Sequence, residues 1–184
     1  MRNPLRILPK ATAEKWTRRV MIVEAMVVMV VVTLVKDLVP MTWWSGVLGR
    51  VRAVPEQWYG ARITSLPVVA ANNAERRVII AVRRGSRLLP FKPKCLAEAT
   101  AGQFLLRQMS VPGVVAFGLR PGDPESTGPW KAHAWLLGRR GALTGGPAAR
   151  GFTATSLYEV RGGLSAEQID LTGSFSTDEP TTCG

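Results

Sequence analysis

The stretch Leu89-Pro90-Phe91-Lys92-Pro93-Lys94-Cys95-Leu96-Ala97-Glu98-Ala99 holds the change of backbone on which the fold turns. Its two prolines hold the residues before them in extended conformations, so a helix cannot start ahead of Pro93. From Cys95 to about Met109 the pattern is helical, and Val111-Pro112-Gly113 breaks it. Cys95, Ala99, Gly102 and Leu106 recur at helical spacing and share one face. Three of these four side chains are small, which lets the helix axis approach a facing sheet closely. The pattern therefore predicts Cys95 at a helix tip, pressed against that sheet.

The sheet follows in sequence. Val114 to Leu119 is a short apolar run, Arg120 to Lys131 is a loop rich in Pro and Gly that carries Asp123 and Glu125, and Ala132-His133-Ala134-Trp135-Leu136-Leu137 alternates. Gly138-Arg139-Arg140-Gly141 reads as a hairpin turn with the two arginines at its centre. That register pairs Leu137 with Ala142, Trp135 with Thr144 and His133 with Gly146, and it puts His133, Trp135 and Leu137 on one face. A further strand is expected over Thr153 to Val160, and residues 161–184 read as a flexible tail.

On the N-terminal side, Val20 to Val35 is almost wholly apolar, with Arg18-Arg19 before it and Lys36-Asp37 after it. It contains Glu24 and falls several residues short of the roughly 20 that a hydrocarbon core requires. A signal peptide is excluded by the long stretch that precedes the run and by the lack of a small-x-small cleavage site after it. The segment predicts a buried or interfacial helix with ends near Glu14 and Lys36, stopped by Pro40. Trp43, Trp44, Val47 and Leu48 suggest a short amphipathic turn, and Gly49 to Leu66 is loosely patterned. Val68 to Val82 reads as a second helix that ends at Arg83-Arg84-Gly85. One domain results: a basic arm over residues 1–19, a helical part over 20–94, a Cys/His core over 95–160, and the tail.

The chain has 184 residues, 46% of them hydrophobic, which suffices for one core. A single His and two widely separated Cys exclude zinc-ribbon, zinc-finger and Cys-x-x-Cys chemistry, and no metal is expected. So few cysteines favour a reducing, cytoplasmic setting. Residues 1–94 carry a net charge of +12 and the remainder −1, so the whole excess of +11 lies in the first half. Such a field attracts acidic partners. The Arg-rich stretches have no interleaved aromatics to stack bases, which argues against nucleic acid.

A thiol reacts as thiolate, and a helix N-terminus offers both a dipole that stabilises the anion and free N–H groups for an oxyanion. Cys95 sits at such a terminus, and His133 lies on a strand able to face it. A neutral imidazole there takes the thiol proton and later protonates a leaving amine. By spacing alone, a Cys at the start of an apolar helix is most often an inert core thiol and a lone His in a strand most often a structurally bonded one.

The string Arg83-Arg84-Gly85-Ser86-Arg87-Leu88-Leu89-Pro90, then Lys94-Cys95-Leu96-Ala97-Glu98-Ala99, Leu105-Leu106-Arg107, Val111-Pro112, Gly118 and Ala132-His133-Ala134-Trp135-Leu136 resembles the lasso-peptide biosynthesis B2 proteins, the transglutaminase-like leader peptidases of those pathways. The resemblance spans roughly residues 15–155. It implies an α+β, papain/transglutaminase-like cysteine peptidase core, a catalytic helix packed on a small antiparallel sheet, preceded by an N-terminal helical segment. Cys95 would be the nucleophile and His133 the base. The substrate would be a precursor peptide whose leader is removed, and the freed amine would then be joined to a side chain by a separate ATP-using lasso cyclase. No cofactor is implied, and the chain contains no phosphate-binding G-x-x-x-x-G-K-[ST] string.

Two departures stand out. The position for a third, usually acidic, residue falls near Gly146; Asp123, Glu125, the Thr144 hydroxyl or a backbone carbonyl are the substitutes available, and a dyad is expected. The first 94 residues also lack the short strands of a leader-gripping winged-helix module, so leader recognition falls to a separate small leader-binding RRE protein (B1). Trp130, Trp135 and Phe117 are the aromatics expected to line a substrate pocket. The alternatives are a catalytically impaired scaffold of the same pathway, or a basic protein in peripheral contact with a membrane.

Overall fold

The computed structural model describes residues 10–39, 46, 48–58, 62–122, 128–159, 169 and 175–176. Among the described residues, α2 (Asn73–Leu88) and α3 (Cys95–Gln108) cover one face of a seven-stranded sheet, and α1 (Lys10–Leu38) packs across these two helices on the side away from the sheet. The strands are β1 (Arg50–Arg52), β2 (Arg62–Ile63), β3 (Val114–Pro121), β4 (Trp130–Gly138), β5 (Gly141–Thr144), β6 (Thr153–Glu159) and β7 (Phe175–Ser176). All pair antiparallel, in the order β5-β4-β3-β6-β2-β7, with β1 also on β6. The expected α+β class and N-terminal helix are present.

Strand alternation divides the apolar residues into two cores. Val115, Ala134, Leu136 and Leu143 meet the helices, together with Met21, Ala25, Met29, Val78, Ala99 and Leu106. On the other face, Val114, Ala116, Trp135, Leu137 and Ala142 are covered by Trp58, Ile63, Leu66, Phe152 and Ile169. Gly102 sets the distance between α3 and the sheet, since a Cβ there would lie 2.5 Å from Leu136 Cδ2.

Several expectations change. Helix α1 begins at Lys10, inside the supposed arm, and the region read as helical contains β1, a 3₁₀ turn at Glu56–Trp58 and β2. Strands of three and two residues are too short to display a period, which is why the sequence concealed them. Helix α2 starts five residues later than Val68 and runs through Gly85 to Leu88. Gly85 is an interior contact and not a terminator: a Cβ there would stand 3.0 Å from Met29 Cε and 3.4 Å from the Ile22 carbonyl. Of the expected turn after Pro40, Leu48 is buried, while Trp43, Trp44 and Val47 lie outside the described residues. Within the supposed tail, Ile169 is buried and β7 pairs with β2; the rest is likewise outside them.

The hairpin register also departs. Gly138 pairs with Gly141 and Leu137 with Ala142 as expected, but a bulge then sets Leu136 opposite Thr144, so neither Trp135–Thr144 nor His133–Gly146 forms. One extra residue on β5 shifts everything beyond it.

A buried carboxylate fastens this hairpin to α2. The Asn72 side chain caps the helix by accepting from the Glu75 N–H at 2.9 Å. The Glu75 side chain, fully buried, accepts from the Ala71 N–H and, at 3.4 Å, from the Arg139 N–H in the β4–β5 turn. Replacing Glu75 with Ala removes the acceptor from both donors, the half-buried Ala71 N–H and the more exposed Arg139 N–H, and empties the buried space the side chain fills; a lost hydrogen bond to a charged group is worth about 1.5–3 kcal/mol. Glu75→Ala is therefore expected to lower unfolding free energy by about 3 kcal/mol, and Glu75→Gln, which keeps one acceptor, by less; chemical denaturation measures both.

Candidate active site

Lys94 occupies the N-cap of α3 and makes no side-chain cap. The Cys95 and Leu96 N–H groups, which have no carbonyl one turn back to bond, are thus left for whatever sits at the helix tip. What sits there is the Cys95 sulfur. It accepts from the Leu96 N–H and from the Ala134 N–H of β4, and it is hydrogen-bonded to the His133 side chain. Strand β5 stops at Thr144. The sulfur therefore takes, at the edge of β4, the kind of place a continuing strand would fill.

His133 Nε2 lies 2.9 Å from the Gly145 carbonyl oxygen. A carbonyl only accepts, so Nε2 carries a hydrogen and Nδ1 is the nitrogen left to exchange a proton with the thiol. Two aromatic rings pack against the imidazole: Trp135 is stacked at 5.9 Å between centroids and Phe152 is tilted at 5.3 Å. Gly145 takes φ +71, and a Cβ on it would lie 2.9 Å from the Ala134 carbonyl and 3.3 Å from His133 Nε2. Glycine is the residue this corner admits.

The electrostatics follow from these contacts. Burial opposes ionisation of Cys95, but the His133 hydrogen bond, the Ala134 N–H, the imidazole charge and the Leu96 N–H outweigh it, and the thiol titrates below its ordinary range. Burial likewise disfavours the imidazolium, and bonding to Cys95, the Gly145 carbonyl and the charges of Cys95 and Glu98 outweigh it, so His133 holds its proton above the ordinary range. Both shifts favour a thiolate–imidazolium pair. Glu98, one turn along α3, accepts from Ser86 Oγ at 2.7 Å.

Cys95 and His133 are thus brought together as the sequence predicted, and the third position is filled by a backbone carbonyl, one of the four substitutes. Thr144 does not serve: its hydroxyl is buried without a hydrogen-bond partner. Asp123 and Glu125 lie outside the described residues. The three aromatics do not gather into a pocket. Trp135 is 1% exposed and supports the imidazole from the core, which corrects its expected place in a pocket wall. Phe117 packs edge-on to Tyr158 at 5.2 Å, against the helix-side core, and Trp130 is 62% exposed at the start of β4. A cleft of about 280 Å³ instead opens beside Gly145, lined by Arg83, Ser86, Arg87, Glu98, Thr144 and Pro147. Glu98 and Phe152 were missed; Glu98 had a usable signal, three residues after the Cys on the same helix, and Phe152 had none.

A thiol–imidazole pair at the junction of a helix tip and an antiparallel sheet defines a papain/transglutaminase-like arrangement. Residues 36–156 match the model of the transglutaminase-like superfamily, and the chain belongs to that superfamily. Neither the curated proteins nor the solved structures gave a match.

Two outcomes follow. In a Cys183→Ser background, alkylation of Cys95 should reach half its maximal rate below the pH of a free thiol, and His133→Ala should move that midpoint upward. Gly145→Ala should cost at least about 1–2 kcal/mol for its left-handed backbone, read by thermal unfolding, and should shift the alkylation profile in the same direction as His133→Ala.

Proposed function

We propose that this protein is a cysteine peptidase that removes the leader from a lasso-peptide precursor and leaves the core with a free N-terminus for a separate cyclase. The observation that carries the catalytic reading is the hydrogen-bonded Cys95–His133 pair with the Nε2 proton held by the Gly145 carbonyl. The precursor class is supported by the Cys-Leu and His-Ala-Trp strings and the basic, proline-bearing approach to Cys95, which resemble the B2 leader peptidases.

In this mechanism His133 Nδ1 takes the Cys95 proton, and the thiolate attacks the carbonyl carbon of the scissile bond. The oxyanion forms beside the free Cys95 N–H at the positive end of α3. The imidazolium then passes its proton to the departing amine, which is the new N-terminus of the core. The leader is left as a thioester on Cys95. Water, deprotonated by His133, attacks that thioester, and the leader departs with a carboxylate. Because Gly145 supplies a dipole and not a full negative charge, the imidazolium rests on the thiolate and the weaker field of Glu98 for its stabilisation.

The direct test is incubation with lasso-peptide precursor peptides, followed by mass spectrometry. Cys95→Ala should abolish release of the leader, and His133→Ala should slow it by at least about 100-fold. The rate of the unaltered protein should rise as the depressed thiol ionises and fall as the raised imidazolium deprotonates. Undiminished processing by Cys95→Ala would overturn the reading.

A further inference from the structure

The inner face of α1, formed by Met21, Ala25, Met29 and Val32, is buried against the body of the protein. A surface helix with such an inner stripe is expected to be polar outside. The outer face of α1 carries Trp16, Val20, Val23, Val27, Val31, Leu34 and Leu38, between 38% and 80% exposed. These positions recur with a period of 11: Trp16, Val27 and Leu38 share one phase, Val20 and Val31 a second, Val23 and Leu34 a third. Such a period drifts only about 20° per repeat, so the stripe keeps to one side along roughly 33 Å of helix. An uninterrupted apolar strip of this length is more than the scattered exposure of an ordinary surface.

Its surroundings indicate what covers it. Lys15, Arg18 and Arg19 are exposed at its N-terminal end, Arg19 on the flank of the strip and the other two along the cleft that α1 forms with Arg77 and Ala81 of α2, while Lys36 in the last turn is half-buried on the inner side. The acidic Glu14 at that end is paired with Arg77 at 3.4 Å. A strip of Val and Leu with three cations at its N-terminal end and the half-buried Glu24 on its flank, in a chain of net charge +11, complements a surface that is apolar within and anionic at its border. No helix among the described residues is long and apolar enough to cross a membrane, and α1 has only one face to offer because the other belongs to the core. A second copy would bring like-charged ends near one another, and an 11-residue seam has the opposite hand to the usual left-handed coil.

We propose that α1 lies flat in the interface of an anionic membrane, its outer stripe among the upper acyl chains and its basic residues at headgroup depth, with α2, α3 and the sheet held on the aqueous side. Trp16 would mark the boundary, where an aromatic with one polar edge is most at home.

The full chain should float with vesicles of phosphatidylcholine containing about a third phosphatidylserine, bind pure phosphatidylcholine at least tenfold more weakly, and be partly released by raised salt. Val23→Asp/Val27→Asp/Val31→Asp should lose binding at least tenfold while keeping the unaltered protein's Cys95 alkylation rate, which shows the site still folded. Should that triple variant unfold, the single Val27→Asp carries the same comparison. The proposal is overturned if the unaltered protein stays with the soluble fraction in both lipid mixtures, or if a folded stripe variant floats as well as the original. It is also overturned if sedimentation shows the stripe closing a dimer that the variant abolishes while vesicle binding is unchanged.

Discussion

One carbonyl oxygen, that of Gly145, sets the chemistry available to this protein. By accepting from His133 Nε2 it decides which ring nitrogen is basic, and only with Nδ1 free can the imidazole exchange a proton with Cys95. The carbonyl can be there because the chain turns through a left-handed glycine directly after β5 ends. The shortness of β5 has a second effect. It leaves the Ala134 N–H of β4 available to the sulfur, so a sheet edge that would otherwise be unpaired becomes part of the stabilisation of an anion. Strand length and turn conformation thus act here as electrostatic choices.

A carboxylate in the third position would stabilise the imidazolium by charge and orientation together. Here the two effects are divided. Orientation comes from the Gly145 carbonyl and from Trp135 and Phe152 packed against the ring, while charge comes from the thiolate and, at greater remove, from Glu98. Glu98 is in turn held by Ser86 of α2, which connects the helix layer to the protonation of the base.

Much of this was legible in the sequence, for identifiable reasons. The prolines at 90 and 93 and the Val111-Pro112-Gly113 break bound α3 to within a residue of where it lies, and the small residues along it foretold the close approach that Gly102 makes to Leu136. The alternation around His133 gave β4 and the face it shares with Trp135. What stayed hidden was of other kinds. Strands β1 and β2 are too short for a period, and Gly85 was indistinguishable from a helix terminator because glycine also serves where helices touch. The bulge opposite Leu136 depends on tertiary packing that no local pattern records, and without it the partner of His133 could be narrowed to candidates but not chosen.

The placement of the pair has a mechanical consequence. His133 belongs to the face of the sheet sealed by Trp135, Phe152 and Leu157, whereas Cys95 rides on a helix seated in the opposite layer. The two reacting atoms therefore meet across the rim of the sheet, each carried by a separate hydrophobic body. Their separation is a gauge of how those bodies are seated on one another, and a substitution deep in either, remote from sulfur and imidazole alike, would be felt as a change in proton exchange before it was felt as loss of structure.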